Sequence, residues 1–133
     1  MAAGAKAEFG TVEVYEVLAD VLNNDPKWAE LGKDIDYSMI YDYGAPVSKA
    51  FFVHFRGGKV ESVHELASAD AEPADFVLSG NPDVWRGVLD RTINPTVALT
   101  RGQLKVKGKM TTLLKNMNTL SYINEALTKI ELV

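Results

Sequence analysis

Two histidines, His54 and His64, are the chain's best candidates for near-neutral acid–base chemistry or metal ligation. They flank Gly57-Gly58, so a hairpin would carry them onto neighbouring strands. A metal site there wants a third ligand, and Glu61 or Glu65 is the only local choice; no HxH or HExxH spacing accompanies them. They read as polar-face strand residues, and no metal is expected. Gly57-Gly58 is a turn rather than a phosphate loop, and Gly108-Lys109-Met110 lacks the preceding glycine of a P-loop. Ser79-Gly80 has no nucleophile elbow around it. Asp34 and Asp36 have nothing nearby in sequence to raise one pKa, and the chain has no cysteine. No catalytic residue, metal or cofactor is therefore assigned. Catalysis without a motif would need groups brought together from distant segments, such as a carboxylate pair.

What stands out instead is apolar. Phe51, Phe55, Phe76, Trp85, Met110, Leu114 and Met117 lie on elements expected to converge, a pattern that taken alone favours plain core over a pocket wall. A helix with a Val14, Leu18, Val21, Leu22 stripe runs from Thr11, its N-cap, to Asn23. Asp25-Pro26 starts a short helix ended by Gly32. From Ile35 the period becomes two: Ile35 to Tyr43, Ala50 to Arg56 and Lys59 to Leu66 read as an antiparallel meander. A polar loop, Ser68 to Pro73, precedes a short strand at Asp75 to Ser79. Asn81-Pro82 and Asn94-Pro95 open two more helices, the second ended by Gly102. Gln103 to Lys107 is a strand with Leu104 and Val106 inward. From Met110 the spacing fits one long helix, or two broken near Ser121. This is an α+β domain within the broad α/β class.

Length and composition agree. The 133 residues suit one domain, with 1–8 a flexible N-terminus and 9–133 the folded unit. A hydrophobic fraction of 47% supplies a core. The net charge of −4 and pI near 5.1 argue against nucleic acid as a partner. Lys105, Lys107 and Lys109 alternate with other residues as the wet face of a strand would, the alternative being a small anionic docking patch. No run approaches the roughly 18 apolar residues of a membrane span, and the first six residues lack a secretory signal's apolar core. A cytoplasmic protein is expected.

The segment Ala74 to Leu120 adds something periodicity does not. ADFVLSG, followed by NPDVWRGVLDRTINPTVALTRGQLKVKGKMTTLLKNMNTL, resembles the sterol carrier protein 2 lipid-binding domain, the nonspecific lipid-transfer family. The most specific part is Asn94-Pro95-x-x-Ala98, then Gly102-x-Leu104-Lys105-Val106-x-Gly108-x-Met110. The element order of nearly the whole chain is similar, and residue matches are concentrated in its last half. Two departures stand out. The Glu131-Leu132-Val133 ending differs from the peroxisomal signal of animal members, and Lys109 stands where many members carry an acidic residue.

The resemblance implies a five-stranded, mostly antiparallel sheet covered on one face by helices, with an apolar tunnel between the layers. It implies a non-catalytic binding or transfer protein for a fatty acid, acyl-CoA, sterol or phospholipid. Enclosing an alkyl chain gains roughly 0.8 kcal/mol per CH₂ without directional demands, which suits broad selectivity. Candidate lining residues are Phe51, Val53, Phe55, Phe76, Leu78, Trp85, Leu89, Leu104, Met110, Leu113, Leu114 and Met117; some of them must be plain core. The region Met110 to Ile130 would be the lid, and its tail, Ser121 to Ile130, a cap or a homodimer interface. The expected partners are a small apolar or amphiphilic ligand and, transiently, a membrane or an acyl-CoA enzyme. The alternatives are a structural or oligomerisation domain with a filled tunnel, and an accessory subunit of an enzyme acting on an apolar substrate.

Overall fold

A computed structural model describes residues 6–45 and 47–132. Its elements run β1 (Lys6–Ala7), α1 (Glu13–Asn23), α2 (Pro26–Leu31), β2 (Asp36–Tyr43), β3 (Lys49–Arg56), β4 (Lys59–Leu66), β5 (Phe76–Gly80), α3 (Pro82–Leu89), α4 (Pro95–Thr100), β6 (Lys105–Gly108), α5 (Met110–Lys115), α6 (Met117–Leu127) and β7 (Glu131–Leu132). Five strands form one sheet in the order β4-β3-β2-β5-β6. The meander β2-β3-β4 is antiparallel, β5 lies parallel to β2, and β6 returns antiparallel to β5.

Strand alternation sorts the side chains onto two faces. Tyr37, Met39, Tyr41 and Tyr43 of β2, Phe51, Val53 and Phe55 of β3, and Phe76 and Leu78 of β5 join the main core with residues of α1, α2, α3 and α6. The opposite face holds a small cluster, Ile40, Ala50 and Leu66, covered by Ala69 and Ala74 of the segment crossing from β4 to β5. Asp75 pins that crossover: its carboxylate accepts from the Ser38 amide at 2.8 Å, and its own amide donates to Ser38 Oγ at 3.0 Å.

Local chemistry explains the helix starts. Asp25, Asn81 and Asn94 each sit in extended conformation before a proline, and their side chains accept from Lys27, Val84, and Thr96 with Val97 respectively. Gly57 and Gly58 have φ of 59° and 75°, the values the hairpin requires. A β-carbon on Gly58 would also meet Ala29 O at 2.6 Å, because the turn packs on α2.

Four expectations are corrected. Lys6 and Ala7 are not frayed: they pair in parallel with Glu131 and Leu132, and Ala7 is buried, so the terminus is tied down at residue 6. Residues 1–5 lie outside the described residues. Thr11 does not cap α1; its hydroxyl donates to Glu8 O, while the Glu13 carboxylate accepts from the Glu8 amide. The sixth strand begins at Lys105 rather than Gln103, because the Gln103 and Leu104 amides are both spent on Ala98 O at the end of α4. The C-terminal helical region breaks at Asn116, not near Ser121; the Asn116 side chain donates to Thr112 O at 2.8 Å and terminates α5.

Candidate ligand-binding interior

The helix-facing side of β2 and β3 meets α1, α3 and α6 in an aromatic layer. Tyr15 of α1 stacks on Tyr41 and on Phe51, with centroids 4.7 and 5.1 Å away. Tyr43 stacks on Trp85 of α3 at 5.1 Å and 8°, and Tyr41 meets Trp85 edge-on at 5.9 Å. At the other end Trp28 packs edge-on to Phe55, and Tyr37 packs against Phe55 and Phe76.

The polar tips of these rings are unevenly satisfied. Tyr15 and Tyr43 hydroxyls bond each other at 2.8 Å, and Trp85 Nε1 donates to Asp42 O at 3.0 Å. Thr119 Oγ1 donates to Asn116 O, which leaves it to accept from the Tyr37 hydroxyl at 2.9 Å. Among the described residues, the Tyr41 hydroxyl and Trp28 Nε1 are buried without any hydrogen-bond partner. Such a group costs about 1–3 kcal/mol, so natural interiors contain few of them. Burial also raises these phenols: Tyr37 is pushed up to about 12, and Tyr15, Tyr41 and Tyr43 are raised as well.

The twelve residues read from the sequence divide into two groups. Phe51, Val53, Phe55, Phe76, Leu78, Trp85, Leu89 and Leu104 are brought together in the main core, none more than 3% exposed. Leu113 is half-buried against that core. Met110, Leu114 and Met117 lie outside it, 61%, 65% and 44% exposed. No residue of α5 is buried, whereas α6 anchors Thr119, Leu120, Ile123, Ala126 and Leu127. Tyr15, Trp28, Tyr41 and Tyr43 share the interior but are not among the twelve. The signal for the two strand tyrosines was available, since the alternation of β2 puts them on the face that carries Met39.

The remaining candidate chemistry lies elsewhere. His54 and His64 sit on the opposite face of the sheet, opposite Ser62 and Phe52. His54 Nε2 meets Asp36 at 2.7 Å and its Nδ1 faces Glu61 at 3.6 Å, whereas His64 stacks on Phe52 and bonds Glu72 at 2.8 Å. Among the described residues, no three histidine or carboxylate side chains assemble as a metal site. An open pocket of about 300 Å³ is lined by Asp42, Gly44, Ser79, Gly80, Asn81, Gln103 and Lys105, none of them among the twelve. No described helix is long and apolar enough to cross a membrane.

Comparison with known proteins bears on the whole arrangement. The SCP-2 sterol transfer family profile matches residues 42–121. A crystal structure of sterol carrier protein 2 is 18% identical with a TM-score of 0.79, covering 92% of this chain and 99% of its own. A conserved hypothetical protein from Thermus thermophilus, also 18% identical, gives 0.78 over 95% of this chain and 92% of its own. Palmitated SCP2L2 from Aedes aegypti, 13% identical, gives 0.60 over 83% and 90%. A search of curated protein sequences finds no match.

Proposed function

The chain belongs to the SCP-2 sterol transfer family, and from that premise we propose that it binds a single-chain amphiphile such as a fatty acid in the aromatic interior and carries it without chemical change. The observation that carries this reading is the Tyr41 hydroxyl, buried in the aromatic layer without a hydrogen-bond partner among the described residues. A ligand with one hydrogen-bonding end and an alkyl body complements that layer. The polar end satisfies Tyr41, and each methylene placed against Phe51, Leu78 or Trp85 gains roughly 0.8 kcal/mol. The palmitate of the Aedes aegypti relative has this chemistry.

Access follows from the unequal anchoring of the last two helices. α6 is held by its buried stripe and by the Tyr37–Thr119 bond. α5 contributes no buried residue, so lifting it costs little, and Met110, Leu113 and Leu114 then offer a flexible apolar wall to the incoming chain. Met117 closes that wall at the start of α6. Transfer without chemistry fits this interior, whose polar groups are phenols, an indole and a threonine, with the phenols held neutral by burial.

Trp28 and Trp85 both pack on the strand aromatics of this interior, which gives a direct test. Excitation of tryptophan should transfer energy to a conjugated polyene fatty acid, saturating at one ligand per chain and reversing on addition of palmitate. Absence of saturable transfer from delipidated protein would overturn the proposal.

A further inference from the structure

Residues 91 to 124 contain six cations, Arg91, Arg101, Lys105, Lys107, Lys109 and Lys115, and no aspartate or glutamate. The other 99 residues hold all eighteen acids against eight cations. A chain of net charge −4 thus includes one stretch of +6 beside a remainder of −10. The fold keeps much of that stretch along one margin. β6 is one of the two edge strands of the sheet, with Lys105 and Lys107 exposed on it; Lys109 precedes α5 and Lys115 ends it. Among the described residues, none of the six makes an ion pair.

The same margin carries the most exposed large apolar side chains described, Leu114 and Met110, with Met117 beside them. Lysines on an edge strand discourage pairing with another sheet, which accounts for Lys105 and Lys107. It does not account for Lys109 just before α5 or Lys115 at its end, or for methionine and leucine turned to water between them. Cations interleaved with flexible apolar side chains on a loosely attached helix offer no shaped pocket for a peptide. They suit a soft, negatively charged surface that accepts apolar groups.

We infer that the margin from β6 to the start of α6 docks the protein on an anionic phospholipid bilayer, its lysines at the headgroup phosphates and Met110, Leu114 and Met117 in the interface. Docking there would set α5, the proposed way into the interior, against the source of the ligand, and in that respect it rests on the lipid-carrier reading.

Sedimentation of the full chain with vesicles tests it, using phosphatidylcholine alone and phosphatidylcholine with one third phosphatidylserine. Binding should favour the anionic vesicles at least tenfold and weaken as salt rises. K107E/K109E should lose tenfold or more, and L114S/M117S several-fold with the salt dependence kept. K33E/K59E, on distant exposed sites, should bind as the parent does. All six positions are solvent-exposed, and a thermal melt checks that each variant folds. Equal binding to both vesicles, no binding, or equal loss in K33E/K59E would overturn the inference. So would self-association removed by L114S/M117S, or retention on polyglutamate without vesicle binding. Native mass spectrometry on the same samples separates the two claims. Protein that carries an amphiphile yet ignores vesicles overturns docking alone; protein that docks yet carries nothing upholds docking and overturns the carrier.

Discussion

Tyr41→Phe and Tyr43→Phe remove the same atom from neighbouring places on one strand, and the structure predicts opposite signs. The Tyr41 hydroxyl is buried and meets no partner among the described residues, so its removal relieves a desolvation penalty of about 1–3 kcal/mol, less the small void left behind. A net gain of roughly 1 kcal/mol raises Tm by about 3–4 °C for a domain of this size. Removing the Tyr43 hydroxyl instead breaks the 2.8 Å bond to Tyr15 and strands the Tyr15 hydroxyl in the core, a loss of about 1–3 kcal/mol. Differential scanning calorimetry on delipidated protein reads both. Repeating it with saturating palmitate reads the ligand contact: the stabilisation by palmitate should be smaller in Tyr41→Phe by about 1 kcal/mol, near fivefold in affinity. If Tyr41→Phe destabilises the free protein as much as Tyr43→Phe does, the hydroxyl is satisfied without ligand and the reasoning fails.

Gly108→Ala should cost more than 2 kcal/mol in chemical denaturation, because φ is 150° and the new carbon would meet Phe76 Cδ1 at 2.4 Å and Asp75 O at 2.6 Å; a cost below 1 kcal/mol would contradict that packing. All five tyrosines are raised, Tyr15, Tyr37, Tyr41 and Tyr43 by burial and Tyr122 to about 12 by its bond to Asp25. Groups raised in the folded state stabilise it below pH 10 and lose that contribution as pH climbs toward their folded values, so phenolate absorbance should appear together with unfolding above pH 10 rather than as an independent titration. Partial burial pushes the Asp25 carboxyl up, but bonds from the Tyr122 hydroxyl and the Lys27 and Trp28 amides outweigh it and hold the pKa low. That contribution is present above the ordinary aspartate value and lost as pH falls through the lowered one. Tyr122→Phe should therefore cost about 1 kcal/mol at pH 7 and flatten the acid limb of the stability curve, as urea midpoints at pH 7 and pH 3 would show.

Much of this fold was legible because its signals are local. Three Asx-Pro pairs and the Gly57-Gly58 turn fix where α2, α3, α4 and the β3–β4 hairpin begin, each through a backbone geometry few other residues satisfy. The pairing of Lys6-Ala7 with Glu131-Leu132 was not legible, since two-residue strands have no period to read and join the chain's extremes. The break at Asn116 was hidden because the apolar spacing continues through it. Among the twelve candidate residues, periodicity gave the inward face but not its depth. Met110 and Leu114 share the helical stripe of Leu113, yet α5 lies outside the buried layer and leaves them in water. The resemblance at Asn94 to Met110 supplied the family, and the family profile over residues 42–121 establishes it.

An amphiphile held in this interior would be seen in native mass spectra of gently purified protein. A mass increment of one fatty-acid-sized molecule per chain should be present, leave on organic extraction, and return when palmitate is added to the delipidated protein. A bare chain that takes up no fatty acid, lysophospholipid or sterol after extraction would contradict the account.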